Sequence, residues 1–307
     1  AGNPRPGRSH VQFAVNPEGA ANHLYPSRSS LWLDQVSKQI AGWSHASCNH
    51  DARRHGRYCA HPALFGFRAR RMVEAPSARV SWPQTHRLIL SHFPPIDLFD
   101  DIADPQDWQH LVQAEARTNP RIIEEVGDLT LVPVERRVAG PGASWVMAAF
   151  THISPDRTSR FSDGSYGIYY AGDTLETALR EHCFHMARFY ADADCNPGWI
   201  SEVRQLIGSI DNTLTDIRGD GFELLLDKDV TQYGAAQPFA ARQKAEGSNG
   251  IVYPSQRHAT GQCIAAFYPE VDGIPQQGDH FRYHWNGTEI DYVQQKSGQS
   301  SVFDLRT

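Results

Sequence analysis

The sequence predicts an α+β fold, with a mixed β core, surrounding helices and an N-terminal extension. Strand-like and helix-like segments follow one another without the regular alternation of βαβ units. The 307 residues are 40% hydrophobic and 21% charged, a composition that supports a sizeable buried core. The chain has neither a GxGxxG nor a GxxxxGKS/T loop, which disfavours a doubly wound dinucleotide-binding fold.

Charge divides the chain near Pro83–His86. Residues 1–85 carry ten Arg and one Lys against four acids, a net charge of +7. The whole chain has a net charge of -6, so the remainder carries -13. The first part shows little periodicity apart from one helical pattern near Ser30–Ala41. We therefore predict that residues 1–85 form a basic N-terminal extension, which could be an appended module or a partly disordered arm. Residues 86–307 are predicted to form the domain that carries the chemistry.

Four short elements are predicted at the start of this domain. Apolar runs predict strands at Arg87–Ser91 and Leu129–Val132. Helical spacing predicts helices at Ile96–Ala103 and Gln106–Ala116, the second with Pro105 ahead of its first turn. A Gly-Pro-Gly turn separates them from the elements that follow.

A compact strand, Gly167–Ala171, is followed by the strongest helix signal of the chain, Thr174–Tyr190. Asp173 and Glu176 have the spacing of a capping box at the start of this helix. One face of the helix is apolar at helical spacing, formed by Leu175, Ala178, Leu179, His182, Met186, Phe189 and Tyr190.

Three later apolar runs predict strands at Trp199–Ile207, Gly250–Tyr253 and Gln262–Tyr268. A helix is predicted at Pro238–Glu246, ending at Gly247, which suits a C-cap. Near the end of the chain, Asn286-Gly287 between two alternating segments predicts a tight β-hairpin.

Three blocks concentrate side chains that could support chemistry. The densest is Ser159–Phe189, which contains SRFSDGSYGIYY and then LETALRE. The block HRLILSHFPPIDLF lies upstream, and GIVYPSQRH lies downstream. Together and in this order, the three blocks resemble the RES-domain family, over roughly residues 85–270. The resemblance does not cover the first 85 residues.

This resemblance implies an ADP-ribosyltransferase-like fold and a bacterial toxin of a toxin–antitoxin pair. Such toxins consume NAD by hydrolysis or phosphorolysis, and one branch transfers ADP-ribose to a protein acceptor. NAD is then a substrate, and no metal is expected. The implied partner is a cognate helix-turn-helix antitoxin of the Xre type, with contact to nucleic acid only through that antitoxin.

The family positions can be transferred to this chain residue by residue. The five matching positions are Arg87, Arg160, Tyr170, Glu181 and Ser255. Tyr169 and His185 lie beside them and are kept as secondary candidates, Tyr169 for NAD binding.

Each residue type suits a part of the expected reaction. Cleavage of the bond between nicotinamide and ribose passes through an oxocarbenium-like state, which the Glu181 carboxylate can stabilise. Guanidinium groups at Arg87 and Arg160 suit a pyrophosphate. The ring of Tyr170 can hold nicotinamide flat, and Ser255 would position other groups through hydrogen bonds.

Periodicity alone supports plainer interpretations of the same residues. Glu181 lies about 140° from the centre of the apolar stripe of its helix, which is typical of a solvated surface side chain. Tyr169 and Tyr170 alternate along a strand, so one of them should pack in the core. Ser255 follows a proline and also suits a turn, while His182 lies on the apolar face.

A second hypothesis gives the function to residues 1–85, as a non-catalytic protein that binds zinc or nucleic acid. Cys48, His50, His55, Cys59 and His61 could supply four zinc ligands, but their spacing lacks the usual C-x2–4-C pair. Basic charge near aromatic residues would also permit weak contact with nucleic acid.

Compartment is predicted from what the sequence lacks. Five scattered cysteines do not suggest a disulfide framework, which favours a reducing, cytoplasmic setting. No stretch approaches the ~18 apolar residues of a spanning helix, and the first ten residues lack the apolar core of a signal peptide. We therefore expect a cytoplasmic protein that makes no membrane contact.

Overall fold

The computed structural model describes residues 74–101, 104–296 and 302–306. The chain divides between Arg68 and Ala69, and all described residues belong to the second unit. The helix predicted near Ser30–Ala41 and the cysteine and histidine cluster of the zinc hypothesis lie outside the described residues.

The described ranges contain one sheet of eight strands. These are β1 (Ser77–Leu90), β2 (Tyr169–Gly172), β3 (Gly198–Asp216), β4 (Gly250–Pro254), β5 (Gln262–Ala266), β6 (Gln276–Trp285), β7 (Ile290–Gln295) and β8 (Val302–Asp304). Their order is β1-β2-β5-β4-β3-β6-β7-β8, with a further pairing of β1 to β3. The pairing of β3 with β4 is parallel and the other pairings are antiparallel.

The additional pairing closes a ring of five strands. β1 pairs with β2 through His86 and Gly172, and with β3 along most of its length. The ring then runs from β2 through β5 and β4 back to β3. β6, β7 and β8 extend the sheet from the first half of β3. This mixed sheet with its helices confirms the predicted α+β class.

Six α-helices accompany the sheet in the described part of the chain. They are α1 (Asp97–Asp101), α2 (Trp108–Glu115), α3 (Ile122–Val126), α4 (Ala143–Thr151), α5 (Leu175–Asp192) and α6 (Ala236–Ala245). Side chains of α1 to α4 bury one core with β1, β2 and β3, around Phe99, Trp108 and Met147. A second core contains α6 and β4, around Phe239 and Tyr253. Within the described ranges, no helix is both long enough and apolar enough to cross a membrane.

The predicted domain boundary at Pro83–His86 falls inside β1. Residues on both sides of it pair with β3, from Ser77 to Trp82 and again from Thr85 to Leu90. The register shifts between these two stretches, where Pro83, which has no backbone N–H, interrupts the ladder. The change in charge near residue 85 therefore does not mark the start of the folded unit, because β1 already pairs with β3 from Ser77.

The strand predicted at Leu129–Val132 is wrong, because a 3-10 helix spans Leu129–Leu131. The Asp128 carboxylate accepts hydrogen bonds from the backbone nitrogen of Thr130 at 2.9 Å and from its hydroxyl at 2.6 Å. This local cap favours a turn over an extended chain. Leu129 and Val132, three residues apart, are both buried by the turn.

The predicted helix after β2 is present as α5, with a different cap. Thr174 is the N-cap residue, and its hydroxyl accepts the backbone N–H of Thr177 at 3.2 Å. Glu176 does not complete a capping box, because its carboxylate pairs with the Arg180 guanidinium at 3.0 Å. Asp173 accepts a hydrogen bond from the Thr177 hydroxyl at 2.8 Å.

Candidate active site

Helix α5 separates a core face from a polar face. Leu179 and Cys183 are buried on the core face. Glu181, Phe184 and His185 follow one another at helical spacing on the other face, and Arg188 continues it by one more turn. Periodicity alone would place Glu181 in solvent. In the structure the loop after β4 covers it, and Glu181 is half-buried.

The loop after β4 holds the Glu181 carboxylate. The Ser255 hydroxyl donates to Glu181 Oε1 at 2.6 Å, and the backbone N–H of Gln256 donates to the same oxygen at 3.0 Å. Neither of these donors contacts Oε2. The predicted glutamate and serine, 74 residues apart in sequence, are therefore in direct contact.

Ser255 also organises the turn in which it lies. Its Oγ accepts the backbone N–H groups of Arg257 at 3.1 Å and of His258 at 3.0 Å. Its own N–H donates to the carbonyl of Gly261 at 2.9 Å. The His258 ring contacts the Thr177 hydroxyl at 2.9 Å instead of the serine hydroxyl. Ser255 is thus placed both to position Glu181, which stays a prediction, and to hold the turn in which it lies.

Arg160 lies in the turn before β2 and is 7% exposed. Its Nη1 donates to the carbonyls of Leu225 at 3.1 Å and Asp227 at 2.8 Å. The guanidinium carbon lies 4.6 Å from the centre of the Tyr233 ring. The turn itself is held by the Gln237 amide, which donates to the carbonyl of Ser159 at 3.0 Å.

Tyr170 is directed toward Arg160, and its hydroxyl is fixed by two partners. Tyr170 Oη accepts the backbone N–H of Phe161 at 3.2 Å and lies 2.9 Å from the Ser159 hydroxyl. Burial raises the pKa of the Tyr170 phenol to about 12, so the ring is neutral at physiological pH.

Tyr169 faces the opposite side of the strand and is 1% exposed within the core. The Arg87 guanidinium lies 4.6 Å from the centre of its ring, and Arg87 Nη1 donates to the carbonyl of Tyr170 at 3.0 Å. The predicted contact of Tyr169 with NAD is not supported by this position, because the ring has no free surface. Its observed role is to support Arg87, whose pKa is lowered by burial.

Electrostatic interactions connect Glu181, Arg160, His185 and Arg257 into one site. Burial lowers the pKa of the Arg257 guanidinium, and the nearby Glu181 carboxylate opposes that shift while Arg160 adds to it. His185 lies within electrostatic range of Glu181, Arg257 and Arg160. In the described ranges, no three His, Cys, Asp or Glu side chains come together as metal ligands.

Sequence reasoning did not identify three residues of this site, namely Phe184, Tyr233 and Arg257. Two of them lie close in sequence to predicted site residues, which could have indicated them. Phe184 follows Glu181 by three residues on the same helix, and Arg257 follows Ser255 by two residues in the same loop. Tyr233 comes from a 3-10 segment, Val230–Ala235, that no periodicity indicates.

The comparisons with known proteins concern this part of the chain. Residues 134–286 match the family model of the RES domain. An uncharacterized protein, y4oC of Sinorhizobium fredii, is 29% identical over 205 residues, which are 67% of this chain and 84% of that protein. The crystal structure of the M. tuberculosis MbcT–MbcA toxin–antitoxin complex aligns with 67% of this chain and 86% of its own, at 9% identity and a TM-score of 0.33.

The matched residues contain most of the site. Arg160, Tyr170, Glu181 and Ser255 lie within the matched range, and Arg87 precedes it. The residues that meet in space are thus largely the residues of the matched domain. Most of the site therefore lies in a RES domain, which spans residues 134–286 of this chain.

Proposed function

We propose that this protein cleaves NAD at the bond between nicotinamide and ribose and acts as the toxin of a toxin–antitoxin pair. The observation that carries the proposal is the Glu181 carboxylate, held through Oε1 by Ser255 and Gln256 beside the guanidinium groups of Arg160 and Arg257. A fixed anion next to clustered cations suits a substrate that develops positive charge beside a pyrophosphate.

The proposed chemistry requires one carboxylate and no acid on the leaving group. When the C–N bond breaks, its electron pair stays with the ring nitrogen, and the cationic nicotinamide ring leaves as neutral nicotinamide. The ribose carbon becomes electron-deficient, as in glycoside cleavage. Because both donors hold Glu181 through Oε1, Oε2 is the oxygen that we assign to the ribose.

The remaining residues take roles in binding. Arg160 supplies a guanidinium group for the pyrophosphate, with its Nη1 already engaged by backbone carbonyls. Arg87, predicted for the same group, packs against the Tyr169 ring on the other side of β2, and we do not assign it to this contact. The neutral Tyr170 ring supports the flat nicotinamide. An acceptor then forms the new bond to the electron-deficient ribose carbon and, when it is water or a protonated side chain, releases a proton to solvent. Water, inorganic phosphate and a protein side chain are the alternative acceptors for this carbon.

The first test is release of nicotinamide from NAD by the purified full chain, with water, phosphate or a bacterial extract as the acceptor. We expect release, and the acceptor that accelerates it identifies hydrolysis, phosphorolysis or ADP-ribosyl transfer. Incorporation of labelled ADP-ribose into protein would identify the last of these. Folded protein that releases no nicotinamide with any acceptor would refute the proposal.

The toxin role has its own test in living cells. Expression of the wild-type chain in bacteria should deplete NAD and arrest growth, whereas Glu181→Gln should not. Co-expression of a cognate antitoxin, which we propose to be a helix-turn-helix protein of the Xre type, should restore growth. Normal growth of cells that contain soluble wild-type protein would contradict the toxin role.

A further inference from the structure

We propose that Arg257, held flat against Phe184, is a substrate-binding residue that recognises the pyrophosphate of NAD. The inference rests on the proposed function and assigns one further residue to the same site. Neither Arg257 nor Phe184 belongs to the set predicted from the sequence.

The Arg257 side chain is fixed on two sides. Its guanidinium carbon lies 3.4 Å from the centre of the Phe184 ring, the closest cation–ring contact in the described part of the chain. Nη2 donates to the backbone carbonyl of Lys228. A guanidinium that is stacked and anchored loses little freedom when a ligand binds, which favours a binding role.

One donor of this fixed group has no acceptor. Arg257 Nε is buried and makes no hydrogen bond to the described residues. A buried, unpaired N–H of a charged group costs free energy, so Nε alone does not explain why an arginine stands here. The Arg257 side chain as a whole is only half-buried, and a phosphate oxygen could bind at the accessible edge of its guanidinium.

Arg257 lies beside the reacting groups, and the Glu181 carboxylate acts on its guanidinium. Its backbone N–H donates to Ser255 Oγ, which in turn donates to Glu181. A ligand that contacts both Glu181 and Arg257 would span the ribose and the phosphate attached to it. Adjacent ribose and phosphate groups are what a dinucleotide presents.

The charges around Arg257 also favour an anion. Arg160 and Arg257 donate to carbonyls of one short segment, Leu225 to Lys228, so the two guanidinium groups line the same wall. The positive charge of Arg160 repels that of Arg257, and the Glu181 carboxylate attracts it. Two guanidinium charges against one carboxylate leave a positive excess, which a pyrophosphate would neutralise.

The test compares three substrates that share the same scissile bond but carry different numbers of phosphates. These are NAD, nicotinamide mononucleotide and nicotinamide riboside. Arg257→Gln should lower kcat/KM for NAD by about 10- to 100-fold, as expected for the loss of a charge-assisted contact. Nicotinamide riboside carries no phosphate, so its kcat/KM should change by less than about twofold.

Two further variants distinguish recognition from folding. Arg257→Lys should recover only part of the NAD activity, because it keeps the charge but loses the stacked fork. Phe184→Leu should raise KM for NAD more than it lowers kcat. Arg79→Gln is the matched control, since it removes an arginine whose ion pair with Asp211 is largely exposed. Equal losses with NAD and nicotinamide riboside would overturn the inference.

Binding of ADP-ribose separates this inference from the proposed function. ADP-ribose keeps the pyrophosphate but lacks the bond to be cleaved, so its Kd reports on Arg257 without any turnover. We expect Arg257→Gln to raise this Kd by about tenfold or more. A wild-type protein that binds ADP-ribose through Arg257 but releases no nicotinamide would refute the function alone. An unchanged Kd in Arg257→Gln would refute the inference alone.

Discussion

The hydroxyl of Ser255 connects the Glu181 carboxylate to the turn that follows β4. It donates one hydrogen bond and accepts two, so the orientation of Glu181 and the shape of the turn depend on the same atom. A hydrogen bond to a carboxylate is stronger than one between neutral groups. We therefore regard Ser255 as a positioning residue for Glu181.

Replacement of Ser255 by alanine should lower kcat for nicotinamide release by about 10- to 100-fold, because Glu181 loses its 2.6 Å partner. KM for NAD should change less than kcat. Steady-state kinetics and thermal unfolding of the same preparation check this. An unchanged kcat, with the folded state intact, would contradict the positioning role.

Asp272 is a buried carboxyl behind the site. It is 1% exposed, and its Oδ2 accepts a hydrogen bond from the Thr85 hydroxyl at 2.9 Å. Burial raises the pKa of the Asp272 carboxyl to about 8, against the smaller opposing effects of Thr85 and Arg87. The folded protein thus keeps a proton on Asp272 at a pH where the unfolded chain has lost it.

This difference predicts how stability depends on pH. Between about pH 4 and pH 8 the folded state binds more protons at Asp272 than the unfolded state, so its contribution to stability falls as pH rises. The fall is at most about 1.4 kcal/mol per pH unit. Urea unfolding at several pH values should show a shallower fall in Asp272→Asn than in wild type. Parallel curves would contradict the raised pKa.

At the scale of elements, α5 is the part of the fold that positions the chemistry. Its core face packs under β6 and β7, and its polar face presents Glu181 and Phe184 to the loop after β4. The first turn of the helix is fixed by the Thr174 cap. A loss of this cap should loosen the end of α5 that lies closest to Glu181.

The variant Thr174→Ala should lower the free energy of unfolding by about 1 kcal/mol, the usual cost of a lost N-cap side chain. Thr174→Ser keeps the hydroxyl and should stay close to wild type. Denaturant unfolding of the three proteins measures both effects. Equal stability of the alanine and wild-type proteins would show that Thr174 does not cap the helix.

Elements with a strong periodic pattern or a turn signal were predictable from the sequence. Elements that depend on a single side-chain contact or on a pairing partner were not. The helix at Thr174–Tyr190 and the hairpin at Asn286-Gly287 are present, with Gly287 at a φ of +102°. The apolar run at Leu129–Val132 suits a strand or a turn equally, and a single aspartate side chain decides between them. The length of β3 depends on its pairing partners, which local patterns do not reveal.

The candidate site was predictable only as separate residues. Family resemblance selected Glu181, Ser255, Arg160 and Tyr170, and the fold brings them together. Periodicity treated Glu181 as a surface residue, because it cannot show that a loop from β4 covers this face of α5. Arg257 was missed for the same reason, since its contact with Phe184 joins two distant segments.

At the scale of the whole molecule, β1 is necessary to close the ring of strands. Its first half pairs with the end of β3 and buries Val80, which is 2% exposed. A chain that begins at residue 86 loses this half of the strand. We expect it to unfold at a clearly lower temperature than a chain that begins at residue 74. Equal thermal unfolding of the two would mean that the first half of β1 contributes no stability.

The central claim is that the Glu181 carboxylate drives cleavage of NAD, and nicotinamide release by Glu181→Gln tests it most directly. Glu202→Gln is the matched control, because its carboxylate pairs with Lys296 on an exposed part of β3. We predict that Glu181→Gln lowers kcat by about 10²- to 10³-fold with its thermal stability retained, while Glu202→Gln behaves as wild type. Full activity of Glu181→Gln would contradict the account.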